Sequence, residues 1–312
     1  MNYSFISIKR QSIMGIGMLL VLAYHYMLHY GVYHSPLIIR GDIGVDLFLI
    51  ASGLGCFYSL SSKTIKDYFK ARLKRIYPTF ILLTILFIFL DGIILDSHLS
   101  VNQWLLKISG LSYFISGDLS TWYISAILVL YLFSPLLFAF VENLYLLYGL
   151  LFIVYLFPCV AALCDISYLN IFIFRMISFI LGAVIAYNIL RKKEINIVVL
   201  LVSLIIWGGV MACGYINIVD YPRNQIRYVF YPLIAFGLIY GIKYIKSDRI
   251  LGFMGKYSLE IYLIHQPVFR YLSFIENKFY FVALTLIVTC SFAMLVKIII
   301  NKLYDWTASG KI

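Results

Sequence analysis

The sequence predicts an all-α, polytopic transmembrane helical bundle of about ten spans with both termini cytoplasmic. Three observations predict it. Of 312 residues, 63% are hydrophobic and only 12% charged, with a mean hydropathy of +0.94. A soluble domain carries about 25% charged and about 45–50% apolar residues, so a soluble enzyme, a secreted disulfide scaffold and a disordered tail are excluded. The apolar residues also fall in long uninterrupted runs, not in the alternation that a membrane β-barrel needs. Finally, the basic residues collect in alternate connecting segments, as the positive-inside rule requires.

At about 20 residues per span, the runs give ten candidates: 12–30, 43–62, 78–95, 120–140, 144–163, 169–189, 195–213, 227–243, 251–272 and 279–301. Only Glu142 and Asn143 separate the fourth from the fifth, and the ninth is the most polar. With a cytoplasmic N-terminus, 18 of the 25 Lys and Arg fall on the inner side. They are Lys9 and Arg10, the six between Lys63 and Arg75, Arg191 to Lys193, the four between Lys243 and Lys256, and three from Lys297 onward. Six fall outside, among acids such as Asp91, Asp96, Asp118, Asp165, Asp220 and Glu276, and Arg175 lies at membrane depth. No repeat, low-complexity tract or soluble appendage interrupts the pattern, so residues 1–312 read as a single integral-membrane domain. No cleavable signal peptide is evident. Cys56, Cys159, Cys164, Cys213 and Cys290 lie in or beside apolar runs without CxxC spacing, as small apolar residues do.

Ionisable groups at membrane depth cost about 2.5–3.5 kcal/mol each even on the lenient insertion scale, so each needs a reason. His25 lies in the first span and His265 in the ninth, about 12 and 11 residues from starts on the same side. The two imidazoles therefore share one depth and can face one cavity. Imidazole titrates near neutrality without help, which suits a general base; the plainer alternative is a hydrogen bond between helices. His29, one turn beyond His25, reads as structural. Asp46, near the outer end of the second span, is a candidate to orient His25, as carboxylates do in other His–Asp pairs. Solvent exposure of Asp46 and helix capping by Asp42 are the alternatives. Gly44, Gly53 and Gly55 allow close helix approach.

The segment SSKTIKDYFKARLKRIYPTF is the most basic stretch. Arg72 and Arg75, three apart, share a face if it is helical, and guanidinium forks grip phosphate oxygens bidentately. Membrane anchoring is the alternative, and the better one for Lys63, Lys66 and Lys70. Pro78 fits an N-terminal position of the third span. Arg175 is expected to snorkel or to pair with Asp165. Trp122 and Tyr123 suit an interfacial belt. Walker, HExxH and GxSxG signatures are absent, as is a basic-aromatic patch for nucleic acid.

Taken in order, these motifs resemble those of the acyltransferase-3 family of integral-membrane acyltransferases. The resemblance rests on LLVLAYH ending in His25, GDIGVDLFLIASG through Gly53, the RLKRIYP run with Arg72, Arg75 and Pro78, and SLEIYLIHQP around His265. WYISAILVLY, with Trp122, Ser125 and Tyr131, adds a fifth. Two positions depart from the family pattern. Met14 stands where many members have Arg, for which Arg10 is the nearest substitute, and Ile127 stands where many have Glu.

The resemblance implies a ten-helix core, acetyl-CoA as cytosolic acyl donor, His25 as catalytic base and Arg72 with Arg75 as donor-binding residues. It implies a cytoplasmic-membrane O-acetyltransferase without metal, acting on a glycan or lipid-linked saccharide among membrane lipids, with no nucleic-acid partner. His265, Arg175 and Trp122 are further site candidates. The competing class is a proton- or anion-coupled transporter or flippase, with His25, His265 and Arg175 along its path.

Overall fold

The computed structural model describes residues 4–30, 41–164, 166–191, 201, 202, 205, 227–245 and 249–308. Described residues form helices and connecting turns, without strands. In chain order the helices are α1 (Ser4–Ile8), α2 (Arg10–His29), α3 (Gly44–Ser62), α4 (Ile65–Ile94), α5 (Val101–Ser109), α6 (Ser112–Ser116), α7 (Trp122–Glu142), α8 (Leu144–Leu163), α9 (Asn170–Arg191), α10 (Arg227–Ile242), α11 (Arg249–Lys256), α12 (Ser258–Tyr271) and α13 (Lys278–Ala308). Among the described residues, six segments are long and apolar enough to cross a membrane: Arg10–His29, Gly41–Ser62, Ile65–Ile94, Trp122–Glu142, Asn170–Arg191 and Lys278–Trp306. They coincide with the first, second, third, fourth, sixth and tenth expected spans. The expected span 195–213 lies almost wholly outside the described residues.

Helix α3 is the axis of the bundle. Every residue from Gly41 to Leu54 is buried, and α3 packs along α9 more extensively than any other pair of helices. Gly53 lies against the backbone of Phe179, and Gly182 against that of Ile50. A Cβ at either position would collide with main chain, so the two helices approach this closely only through glycine. Gly15 and Gly255 bring α2 and α11 together in the same way, against Leu251 and Gln11. The outward faces stay apolar: Phe89 and Ile93 on α4, Leu132 and Leu136 on α7, and Ile287 and Leu295 on α13 are exposed. On a helical bundle with this composition, such a surface is solvated by lipid tails.

Two details correct the sequence reading. Pro78 does not start a helix, because α4 runs from Ile65 to Ile94 with Pro78 inside it. Proline lacks the N–H that would bond to the carbonyl four residues back, and the Tyr304 hydroxyl donates to that carbonyl, on Lys74, at 2.5 Å instead. Pro135 in α7 is accommodated likewise, since the Tyr131 carbonyl accepts from Ser134 Oγ (2.8 Å) and from the Tyr68 hydroxyl (3.2 Å). The expected ninth span is broken at Tyr257 into α11 and α12. The division between α7 and α8 falls where the sequence places it, with the Asn143 side chain capping α8 through the amides of Tyr145 and Leu146.

Candidate functional site

One end of the bundle is basic. Arg10 opens α2, and its Nε donates to the Ala51 carbonyl of α3 at 3.2 Å. Gly55 has no side chain to displace the Arg10 guanidinium, and its carbonyl accepts from Arg72 Nη2 at 2.6 Å. Arg72 is buried, with its guanidinium over the rings of Tyr68 and Tyr131 at 5.3 and 5.4 Å. Arg75, one turn on, is exposed. It borders a cavity of about 420 Å³ together with Ser7, Arg10, Gln11, Met14 and Lys256. No carboxylate is among the residues that line this cavity. The two arginines of the RxxR run therefore do not present one shared face: Arg75 meets the cavity and Arg72 stands behind it. One Arg10 guanidinium nitrogen, Nη2, is buried beside Gly55 without a hydrogen-bond partner among the described residues.

Met14 and Arg75 also border a narrow inner space of about 40 Å³, which Tyr262 lines as well. Tyr262 in turn borders a third cavity, of about 340 Å³, toward the opposite end of α4. Three spaces thus adjoin one another: the first and second share Met14 and Arg75 as lining, and the second and third share Tyr262.

The histidines sit beside this series. Packing of α12 on α2 brings the rings of His25 and His265 to 4.9 Å between centroids. His265 is fully buried, and its Nδ1 is 2.7 Å from the Tyr262 carbonyl and 3.2 Å from that of Ile261. Carbonyls only accept, so Nδ1 carries the proton and Nε2 presents a lone pair. His25 Nε2 lies 3.2 Å from the amide nitrogen of Gln266. With that nitrogen toward the ring, the amide donates and the imidazole accepts. His25 does not border the third cavity, but Gln266 does, so this side chain connects the imidazole to that space. His29 stacks on Phe281 at 4.3 Å.

Asp46 does not orient His25. It is fully buried and accepts from Arg175 Nη1 at 2.5 Å and from Ser178 Oγ at 2.6 Å, both on α9. Asp42 completes the cluster, accepting from Arg175 Nη2 at 3.0 Å and from the Tyr231 hydroxyl of α10 at 2.8 Å. Trp122 and Tyr231 cover the guanidinium at 5.4 Å each. Arg175 therefore neither snorkels nor stands alone: two carboxylates hold it, and the cluster fastens α3, α9 and α10. Asp165, its expected partner, lies outside the described residues. Trp122 contributes here as a ring over a buried cation.

At the third cavity, Asp91 on α4 pairs with Arg270 at 3.2 Å and accepts from the Tyr271 hydroxyl at 2.7 Å. Lys107 on α5 pairs with Asp118 at 3.1 Å. The α5 sequence sets this up: Ser100 and Gln103 form a reciprocal capping box, and Gly110 ends the helix at φ 74°. Partial burial raises the Asp118 pKa, but hydrogen bonds from Ser120 and Lys107 outweigh it and hold the carboxyl below its ordinary value.

The match that decides the family covers nearly all of this framework: the model of an acyltransferase domain aligns with residues 13–302. The chain belongs to the acyltransferase-3 family. No curated protein and no solved structure matches it at a significant level. This acyltransferase-3 protein is thus a multi-pass membrane acyltransferase. Three residues at its cavities escaped the sequence reading of the site. By its place in the sequence Lys256 is one inner-leaflet charge among many. Gln266 stands next to a histidine at membrane depth, and in the sequence alone the histidine is the stronger signal. Tyr262 lies in an aromatic-rich run that masks its position between two spaces. The i, i+3, i+4 spacing of Tyr262, His265 and Gln266 was the available signal, since it places them on neighbouring faces of one helix.

Proposed function

We propose that this protein is an O-acetyltransferase of the cytoplasmic membrane, moving an acetyl group from acetyl-CoA to a hydroxyl of a bacterial surface glycan or its lipid-linked precursor. The observation that carries the proposal is the series of neighbouring spaces that begins at a cavity whose charged lining is all basic and ends at Gln266, the side chain that touches His25. In this reading the basic end faces the cytoplasm. Arg10, Arg75 and Lys256 hold the nucleotide phosphates, which cannot enter hydrocarbon, and Arg72 braces Gly55 behind them. Arg10 and His25 are 15 residues apart on α2, about 22 Å along the axis at 1.5 Å per residue. That is of the order of an extended phosphopantetheine arm, so the thioester passes Met14 and Tyr262 toward the imidazole.

His25 is the general base. When the acceptor hydroxyl replaces the Gln266 amide at its Nε2, the lone pair there takes the hydroxyl proton as the oxygen attacks the thioester carbon. The C–S bond then breaks, the ester C–O bond remains, and the coenzyme thiolate recovers the proton from the imidazolium. Such proton transfer is typically worth about 10²–10⁴-fold in rate. His265, its Nδ1 donating to the Tyr262 carbonyl, packs beside the base. The test is the acetyl-ester content of the surface glycan in cells expressing His25→Ala at normal protein level. Loss of the ester is expected; unchanged acetylation removes His25 as the base. Consumption of acetyl-CoA by membranes separates this reading from a carrier, which spends none.

A further inference from the structure

The third cavity carries a second message, in the balance of its charges. Its lining holds two acids and two bases, and each acid is already matched to a base within hydrogen-bonding distance: Asp91 with Arg270, and Asp118 with Lys107. Among the described residues the lining is therefore polar but neutral, unlike that of the first cavity, whose charged members are all basic. Its volume of about 340 Å³ falls within the roughly 300–1,000 Å³ typical of small-ligand pockets. One wall is apolar, with Phe87, and Gln266 at its margin touches His25. Both acids are anchored twice, Asp91 also by Tyr271 and Asp118 also by the Ser120 amide. Their carboxylates are thus held in place before any ligand arrives, with lone pairs left to accept further hydrogen bonds.

We infer that this cavity is the acceptor site and that it selects an uncharged, polyhydroxylated sugar unit over an anionic or cationic one. The inference rests on the function proposed above and names the acceptor class for it. A sugar hydroxyl both donates and accepts, so it can donate to Asp91 or Asp118 and accept from Arg270 or Lys107 without disturbing either pair. A uronate or a protonated amino sugar meets no unmatched countercharge among the described lining residues, and its insertion must break a pair or leave its own charge unmet. Selection thus comes from pairing within the protein as much as from contact with the sugar.

The test uses the full chain in lipid nanodiscs with labelled acetyl-CoA and three oligosaccharides of equal length: neutral, uronate-bearing and amino-sugar-bearing. The wild type is expected to acylate the neutral one fastest. Asp118→Asn leaves Lys107 unmatched and should raise the uronate-to-neutral ratio by about threefold or more, the scale of a partly exposed ion pair. Lys107→Gln leaves Asp118 unmatched and should shift the preference toward the amino sugar instead. Each ratio is taken within one preparation, so the amount of folded protein cancels, and Asp91→Asn repeats the first test if Asp118→Asn does not fold. Wild-type preference for a charged acceptor, or ratios unmoved in both directions, overturns the inference. Thioester hydrolysis by the wild type without sugar separates the two levels. Hydrolysis with none of the three sugars acylated defeats the acceptor assignment alone, whereas neither hydrolysis nor transfer defeats the proposed function and this inference with it.

Discussion

Replacing Arg175 with methionine probes what the buried charges between α3, α9 and α10 do. The Arg175 side chain is 2% exposed and that of Asp46 is 0%. Removing the guanidinium leaves the Asp42 and Asp46 carboxylates close together in a low-dielectric interior, with Tyr231 and Ser178 still donating to them. Breaking a buried pair by deleting one partner costs about 3–5 kcal/mol. At about 2 °C per kcal/mol for a chain of this size, the melting temperature should fall by about 6–10 °C. Asp46→Ala should lie at the lower end, because Asp42 still holds Arg175. The double variant should lose less than the sum of the two, since the residues share one interaction. Thermal unfolding of detergent-purified protein, followed by Trp fluorescence, reads all three, and Trp122 lies on the guanidinium. If Asp46→Ala melts with the wild type yet loses turnover, the clamp is wrong and Asp46 acts on the chemistry.

Other outcomes follow from the same geometry. Arg10→Ala, Arg75→Ala and Lys256→Ala should each raise the KM for acetyl-CoA, whereas Arg72→Ala should lower the yield of folded protein with little change in KM. Steady-state kinetics beside size-exclusion profiles distinguish the two. Gly182→Val should prevent folding, because its side chain would meet the Ile50 main chain; a normal monodisperse peak would contradict the α3–α9 contact. The Lys107–Asp118 tie should persist at mildly acidic pH. Because the Asp118 pKa is depressed from 3.8, its stabilisation is present above the unfolded value and disappears as pH falls through the folded one. Protease cutting between Ser109 and Thr121 should therefore rise only below about pH 4; a rise near pH 6 would exclude this carboxylate as the cause.

Much of this arrangement was legible in the residues. His25 and His265 meet because both can be counted, at a fixed rise per residue, from helix starts on the same side. Gly53 announced a close approach, and the approach is there. What escaped is the rotation of each helix about its own axis. A helix apolar all round, such as α3 or α9, gives no stripe to orient it, so Asp46 was placed toward His25 when it faces Arg175, 129 residues away. The same ambiguity put Arg72 beside Arg75. The two are one turn apart, yet one faces Tyr68 and Tyr131 and the other an open cavity. Pro78 misled because its usual place is a helix start, and the tyrosine that makes it tolerable inside α4 lies 230 residues away from Lys74.

The most direct test is transfer of labelled acetyl from acetyl-CoA to glycan by the purified chain in lipid nanodiscs, with donor binding measured in parallel. The wild type should form the acetyl ester, and His25→Ala should lose about 10²–10⁴-fold in rate with its affinity for acetyl-CoA retained. Transfer by His25→Ala at the wild-type rate would contradict the role given to that imidazole.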